Sequence, residues 1–133
     1  MINGKIIDTS GWIDYFNGKI DERTNGTVKF IVEGQILMLL IILQEVLQGI
    51  KSSKDFAFVK NAFLRNIFVD YDAIEMALEA ATLFRFLRRN GISIRKPNDS
   101  LITAICIRNN FSLTHNDKDF DNMAKQTTLK TYK

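Results

Sequence analysis

Four acidic side chains in this sequence stand beside or just past apolar runs, where a chain usually avoids charge. They are Asp8, Glu45, Asp99 and Asp117. Acids at the tips of successive buried strands, or facing inward from a neighbouring helix, can converge on one point. Two carboxylates ~4 Å apart repel each other by about 1 kcal/mol in water and roughly 4 kcal/mol at an intermediate effective dielectric. Four together would take up protons in part or require a cation.

The ligand chemistry of these acids favours a hard divalent cation. The sequence has a single cysteine and a single histidine, so Mg²⁺, with Mn²⁺ as the alternative, fits better than zinc. A cation held by carboxylates lowers the pKa of its bound water and polarises a phosphoryl oxygen. That combination is suited to phosphodiester hydrolysis.

The elements that must position the acids follow an alternating pattern. Short apolar segments predict strands at residues 5–8, within 36–43, at 92–95 and at 112–115, and amphipathic stretches between them predict helices. This alternation indicates an α/β domain with a mostly parallel sheet of about four to five strands and helices on both faces. Ligands bind at the carboxyl ends of such strands, where Asp8 and Asp117 would lie, and Asp99 would open the helix after another strand.

The longest predicted helix runs from an N-cap at Asp72 to Arg89, and Gly91 ends it. Its apolar residues repeat at spacings of three to four, which predicts a stripe that faces the core. The stripe consists of Ile74, Ala77, Leu78, Ala81, Phe84 and Leu87.

Other boundaries are expected from local signals. Thr9 or Ser10 should cap the first helix, and residues 19–30 should form a loop or a frayed helix. Further helices are expected over about 53–66, from residue 97 onward and near 119–125. The polar tail from about residue 126 to 133 is either disordered or adds an edge strand.

Composition limits the class of protein. The 133 residues, 46% of them hydrophobic, are most economically one globular domain covering residues 1–133. The longest apolar run, residues 36–43, is far shorter than the roughly 20 residues of a membrane-spanning helix, so no membrane association is expected. Neither a signal peptide nor a disulfide pair is present, which favours a cytoplasmic location.

Charge is unevenly distributed along the chain. Residues 1–84 hold 8 Lys/Arg and 11 Asp/Glu, a balance of −3, whereas residues 85–133 hold 10 and 4, a balance of +6. Such a basic half suits a polyanion such as nucleic acid, and a solvated helix face is the simpler alternative. Its basic cluster consists of Arg85, Arg88, Arg89, Arg95 and Lys96.

Several other residues have a structural interpretation and a functional one. Cys106 is expected in the core rather than as a reactive thiol. Trp12 and Phe16 are expected in the core, with exposure to a partner chain as the alternative. Phenylalanines concentrated in residues 51–68 exceed what one internal face needs, which leaves room for a dimer interface or a groove for a partner protein.

The acidic residues and their neighbours resemble the motifs of PIN-domain proteins, especially the VapC-type toxin ribonucleases of bacterial toxin–antitoxin pairs. Residues 7–16 (IDTSGWIDYF) resemble the opening motif, and 45–49 (EVLQG) the second. Residues 97–102 (PNDSLI) and 115–121 (HNDKDFD) resemble the third and fourth. The four motifs occur in the family's order and span nearly the whole chain.

This resemblance implies roles for individual residues within a three-layer α/β/α PIN-like fold. Asp8, Glu45, Asp99 and Asp117 would form the catalytic site, with Asp8, Asp99 and Asp117 as Mg²⁺ ligands and Ser10 in support. Asp119 is either a further ligand or the N-cap of the last helix. His115 replaces a Thr or Ser that is common in the family, and it is expected to be an exposed loop residue or a hydrogen-bond partner behind the ligands, rather than a general base.

The implied function is a Mg²⁺-dependent endoribonuclease that hydrolyses RNA with a metal-activated water. It would act as a toxin, bind a small cognate antitoxin and form a homodimer, and the basic cluster would grip RNA phosphates. A catalytically inactive PIN-like module that binds nucleic acid or protein is the alternative. A haloacid-dehalogenase-like phosphatase is disfavoured because Ser10 stands where that family needs a second Asp.

Overall fold

A five-stranded sheet forms the centre of the protein in the computed structural model, which describes residues 4–21 and 23–132, without the side chain of Val32. Its strand order is β3-β2-β1-β4-β5, and each neighbouring pair is parallel. All five strands therefore end at the same edge. The strands are β1 (Lys5–Ile7), β2 (Ile36–Met38), β3 (Ile67–Phe68), β4 (Ser112–Thr114) and β5 (Lys130–Tyr132).

Seven helices in the described chain cover this sheet. Contacts link α1 with α3 and α3 with α4, and separately α5 with α6 and α6 with α7. Right-handed crossovers place these two groups on opposite faces, because the chain reverses its direction across the sheet after β3. The predicted three-layer α/β/α architecture is confirmed. The helices are α1 (Thr9–Phe16), α2 (Val28–Val32), α3 (Leu40–Gln48), α4 (Ser53–Phe63), α5 (Ala73–Arg89), α6 (Pro97–Asn109) and α7 (Lys118–Gln126).

The core lies on both faces of the three central strands. Ile6 of β1, Ile36 of β2 and Leu113 of β4 are fully buried, as expected for parallel strands covered on both sides. Cys106 of α6 is also fully buried, and this burial raises the pKa of its thiol. Its predicted role as a core residue is confirmed. No helix within the described ranges is long and apolar enough to span a membrane.

The strand predicted at residues 92–95 is absent, and the chain there is irregular. Gly91 turns the chain at φ 79° and Pro97 begins α6, so only a short connection remains between two helices that pack on each other. Ile94 is buried beneath this connection without pairing to the sheet. The apolar residues of segment 92–95 therefore pack against the core from an irregular connection and do not form a strand.

Near the start of the chain, the predicted cap of the first helix is wrong, and the region predicted as a loop or a frayed helix contains both a loop and a short helix. The N-cap of α1 is Asp8 itself, whose side chain accepts the Ser10 N–H, rather than Thr9 or Ser10. Within residues 19–30 a short helix, α2, begins at Val28. Because β-branched residues are weak helix formers, its sequence does not stand out from the loop before it.

Most of the apolar stripe predicted for α5 does not face the core, although its last member, Leu87, is buried. Ile74 and Leu78 are 77% and 65% exposed, whereas Met76 and Leu87 are buried. Helix α5 packs on α6, and Arg108 of α6 forms ion pairs with Glu75 and Glu79 of α5. The helix therefore has two apolar faces, and sequence periodicity cannot tell which one the protein buries.

The C-terminal tail adds an edge strand, which was one of the two alternatives. β5 pairs in parallel with β4, with Leu113 opposite Thr131. Leu129, just before it, is buried. Lys133 lies outside the described residues.

Candidate metal centre

The carboxyl ends of β1 and β4 bring two of the predicted acids to one edge of the sheet. Ile7 pairs with Thr114, and the Asp8 N–H donates to the Thr114 carbonyl oxygen over 2.9 Å. Asp8 caps α1, and Asp117 caps α7, where its Oδ1 accepts the Asp119 N–H over 2.9 Å. Both acids are therefore fixed as N-caps of helices that begin shortly after neighbouring strands.

Asp99 is the most buried member of the set, at 2% exposure. It lies in the first turn of α6, and its N–H donates to the Lys96 carbonyl oxygen over 3.0 Å. Its Oδ2 is buried and has no hydrogen-bond partner among the described residues. Such an atom is costly unless another group satisfies it.

The surroundings of Asp99 raise its pKa to about 7. Burial contributes most, followed by the negative charge of Asp8, with smaller contributions from Asp117 and Glu45. The nearby charge of Lys96 acts in the opposite direction. The four acids predicted from the sequence therefore interact electrostatically at one place, with Asp99 at its centre.

Three carboxylates approach one another most closely, namely those of Asp99, Asp117 and Asp119. One oxygen from each lies within 4.8 Å of the others. Asp119 is 7% exposed, and it is not the N-cap of α7, since that position is Asp117. The N-cap interpretation of Asp119 is therefore wrong. Asp8 is not a member of this group of three, although its charge acts on Asp99.

Glu45 and Ser10 complete the site from α3 and α1. Glu45 is half-buried, and its Oε1 accepts a hydrogen bond from the Thr9 hydroxyl over 3.1 Å. The Ser10 hydroxyl donates to Asp8 Oδ2 over 2.7 Å and accepts the Asn116 N–H over 2.9 Å. Ser10 thus holds the Asp8 carboxylate against the loop that leads to α7.

Two residues of the basic cluster reach the acids. The Arg95 guanidinium contacts Asp117 Oδ1 and Asp119 Oδ2, each at 3.2 Å, and these carboxylates raise the pKa of Arg95. Lys96 Nζ lies 3.7 Å from Asp117 Oδ2. Both side chains are more than half exposed, so they border the site on its solvent side.

The rest of the basic cluster does not contact the acids in any described interaction. Arg88 lies over the Phe84 ring at 5.6 Å. Arg85 and Arg88 border a groove that reaches Pro97 and Ser100 at the start of α6. Arg89 lines a separate groove between α5 and α6.

His115 is buried, at 2% exposure, so the expectation of an exposed loop residue is wrong. Its Nδ1 accepts the Asp117 N–H over 3.1 Å, and its Nε2 lies 3.7 Å from Asp121 Oδ1. Its ring packs against Phe120 at 5.2 Å. These contacts match the other expectation, a partner behind the acids that orients Asp117.

The donor set fits a hard divalent cation. All of the converging ligand atoms are carboxylate oxygens, and Mg²⁺ and Mn²⁺ prefer such oxygens. Asp99 Oδ2 is buried without a partner among the described residues, and the pKa of Asp99 is raised by burial and by the unbalanced negative charge of its neighbours. A cation bound there would give Asp99 Oδ2 a partner and would balance the negative charge.

Two contributors to this site were not recognised in the sequence. Thr9 supports Glu45 through its hydroxyl, whereas the sequence predicts only a possible helix-capping role for it. Arg95 was treated only as a phosphate contact, yet it forms ion pairs with two site acids. No local pattern reveals either contact, because each joins residues from distant parts of the chain.

The family assignment follows from this arrangement and from comparison with known proteins. Residues 5–126 match the family model described as "PIN domain". The matched segment contains every element from β1 to α7 and all the acids described above. The chain belongs to the PIN-domain family.

Within that family the chain belongs with the VapC proteins. It is 33% identical over 128 residues to the VapC ribonuclease Mb1587 of Mycobacterium bovis, a match that covers 93% of this chain and 94% of the relative. The same identity and coverage hold for ribonuclease VapC11 of Mycobacterium tuberculosis. The predicted family is therefore confirmed.

Solved structures support the fold. The crystal structure of DNA-bound VapBC from Salmonella typhimurium has a chain that superposes with a TM-score of 0.77 at 19% identity, covering 98% of both chains. VapBC2 from Rickettsia felis, bound to a promoter DNA fragment, gives a TM-score of 0.74 at 22% identity over 96% of both chains. At such identities the likeness shows a shared fold.

Proposed function

We propose that this protein is a Mg²⁺-dependent endoribonuclease that acts as the toxin of a toxin–antitoxin pair. The observation that carries the proposal is Asp99, whose buried Oδ2 lacks a partner among the described residues while Asp8, Asp117 and Glu45 surround it with negative charge. The relatives named VapC ribonuclease support this activity. A cytoplasmic location suits an RNA substrate.

The proposed ligands are Asp8, Asp99 and Asp117, with Asp119 as a fourth candidate because its carboxylate lies in the closest group. Mg²⁺, or Mn²⁺ in its place, would supply charge that activates water and polarises a phosphoryl oxygen. Glu45, held by Thr9, adds a carboxylate at the border of the site. Ser10 keeps Asp8 in place through its hydroxyl.

The basic residues would hold the RNA backbone across this site. Arg95 and Lys96 lie at its solvent side, where they can exchange a carboxylate for a phosphate as their partner. Arg85, Arg88 and Arg89 are exposed on α5 and would continue the positive surface. Phosphate contacts of this kind contribute sequence-independent affinity that falls as salt rises.

The antitoxin would bind an aromatic cleft formed by α1, α2 and α4. Trp12 and Phe63 are buried in its floor, and their rings lie 4.7 Å apart. Phe16 and Phe58 remain 46% and 74% exposed, and both border the cleft. Trp12 Nε1 is buried without a hydrogen-bond partner among the described residues, so a backbone carbonyl of a bound segment could accept its hydrogen.

The homodimer would use the exposed face of α5. Ile74 and Leu78 are the two most exposed large apolar side chains of that face, and a groove of about 510 Å³ continues it between α5 and α6, bordered by Phe86 and Ile107. Exposed apolar patches of this kind mark interaction surfaces.

The test of catalysis is an isosteric substitution at the metal centre. Asp8→Asn and Asp99→Asn should each lower RNA cleavage in Mg²⁺ by at least about 100-fold, while circular dichroism shows an unchanged fold. Asp70→Asn, a change of the same kind at an exposed acid, should leave cleavage unchanged. Full activity in both site variants would refute the assignment.

The alternative, an inactive PIN-like module, is separated from the enzyme by metal binding. Titration with Mg²⁺ in a calorimeter should give binding to the natural protein and none to Asp99→Asn. A protein that binds no Mg²⁺ and cuts no RNA, but still binds nucleic acid or a partner protein, would favour the inactive module.

A further inference from the structure

A second polar cavity shares the β4–α7 loop with the acids. Its volume is about 200 Å³, which is below the 300–1,000 Å³ typical of pockets for larger ligands. The cavity is lined by Asp14 of α1, Asn25 of the α1–α2 loop, and Thr114, His115 and Asn116 at the end of β4. Its size suits one flat ring system.

The α1–α2 loop is anchored next to this cavity by two buried hydrogen bonds. The Thr114 hydroxyl donates to Thr27 Oγ1 over 2.8 Å, and the Thr27 N–H donates to Asn25 Oδ1 over 2.9 Å. Because Oδ1 accepts an N–H, the orientation of the Asn25 amide is fixed. Its Nδ2 must therefore be the donor that remains.

That donor has no hydrogen-bond partner among the described residues, although it is buried and Asn25 is only 5% exposed. Buried polar groups are nearly always paired, so the amide is set up to donate to a ligand. Asp14, at 8% exposure, contributes a carboxylate, which accepts hydrogen bonds only. The cavity thus offers a fixed amide donor and an acidic acceptor.

We propose that this cavity binds a guanine base of the RNA beside the cleaved bond, an inference that rests on the ribonuclease function proposed above. Guanine carries two adjacent N–H donors and a carbonyl oxygen on one edge. The Asp14 carboxylate accepts the N1 and N2 hydrogens, and Asn25 Nδ2 donates to O6. Single-stranded bases are commonly read on this edge.

The other bases match the Asp14 carboxylate and the Asn25 amide less well. Uracil has one N–H on that edge between two carbonyl oxygens, so one of those oxygens would face the Asp14 carboxylate. Adenine and cytosine offer that carboxylate a single donor. Only guanine satisfies both carboxylate oxygens and the Asn25 amide together.

The cavity is connected to the acids by short hydrogen bonds. The Asn116 N–H donates to Ser10 Oγ, which donates to Asp8 Oδ2, and the Asp117 N–H donates to His115 Nδ1. The loop that forms one wall therefore also fixes Asp8 and Asp117. A base bound in the cavity would determine which phosphodiester lies over the acids.

The first test measures binding without cleavage. Guanosine 5′-monophosphate, added at millimolar concentration to ¹⁵N-labelled protein, should shift the side-chain amide signal of Asn25. The adenosine, cytidine and uridine monophosphates should shift it far less. No shift with the guanosine compound, or equal shifts with all four, would overturn the proposal.

The second test maps cleavage ends in total RNA. The natural protein should favour guanine at one position beside the cut, and Asp14→Asn should weaken that preference by roughly 5- to 150-fold. Asn25→Asp keeps the acceptor for Thr27 but removes the donor, and it should weaken the preference similarly. Asp70→Asn and Asn61→Asp, at exposed positions, are the matched controls.

The outcomes separate this inference from the proposed function. Cleavage without a base preference, or a preference that both cavity variants retain, refutes the guanine site and leaves the ribonuclease intact. A guanosine-specific shift in a protein that cuts no RNA refutes the ribonuclease and supports the cavity.

Discussion

Asp99 illustrates how one side chain can report on the whole centre. Its pKa is raised to about 7, chiefly by burial and by the charge of Asp8, whereas an unfolded chain would hold it near the ordinary value of 3.8. Between these values the folded state binds more protons than the unfolded state. The linkage relation then makes the metal-free protein less stable as pH rises from about 4 to about 7.

We therefore expect Asp99 to lower the Tm of the metal-free protein as pH rises across this range. A chelator would keep the protein metal-free during the measurement. Asp99→Asn should remove this effect on the Tm, so the variant should have the higher Tm at pH 7.5. Added Mg²⁺ should raise the Tm of the natural protein at pH 7.5 and leave the variant unchanged. An identical pH profile in both proteins would contradict this explanation.

The contacts of Arg95 predict that its removal strengthens Mg²⁺ binding. Its guanidinium contacts Asp117 and Asp119 and so competes with a cation for the same carboxylates. Arg95→Gln should strengthen Mg²⁺ binding by up to about 5-fold, the scale of an exposed ion pair, and should raise the KM for RNA. Calorimetry and cleavage kinetics measure the two effects, and Arg89→Gln is the control. Weaker Mg²⁺ binding in Arg95→Gln would refute the competition.

At the scale of elements, the approach of α1 to β4 depends on Gly11. A Cβ at this position would lie 2.8 Å from Ile7 Cγ2 and 3.0 Å from the Thr114 carbonyl oxygen. The glycine therefore lets the start of α1 lie against the end of β4, where Asp8 and Ser10 meet the α7 loop.

Gly11→Ala should lower the free energy of unfolding by about 1–3 kcal/mol, because the added methyl group overpacks this contact. It should also reduce RNA cleavage by displacing the Ser10–Asp8 pair. Gly26→Ala, where a Cβ meets no atom within 4 Å, should change neither quantity. Denaturant unfolding and cleavage rates provide the measurements. Equal stability of the two variants would show that the close approach of α1 to β4 leaves room for a methyl group at position 11.

At the scale of the whole molecule, the exposed face of α5 determines assembly under the proposed function. Changing both Ile74 and Leu78 to Lys should convert a dimer to a monomer in light scattering, while circular dichroism shows an unchanged fold, because both side chains are exposed. Leu64→Lys, at a residue 55% exposed, should leave the dimer intact. A double variant that remains dimeric would place the interface elsewhere.

The sequence alone was sufficient for the class of fold and for the convergence of Asp8, Glu45, Asp99 and Asp117 at one place. Short buried strands alternating with helices identify a parallel sheet, and parallel strands bring their ends to one edge. Asp8 and Asp117 could be assigned to that edge because Asp8 directly follows β1 and Asp117 lies shortly after β4. These are local properties of the chain, so they can be read along it.

Tertiary structure alone decided which surfaces and contacts matter. Whether Ile74 or Met76 of α5 faces the core depends on how α6 packs, and both faces are apolar. The contact of Arg95 with Asp119, the burial of His115 and the cavity between Asp14 and Asn25 join residues that are distant in sequence or in different elements. Local patterns fix each element's type, but only packing fixes which side of it meets a neighbour.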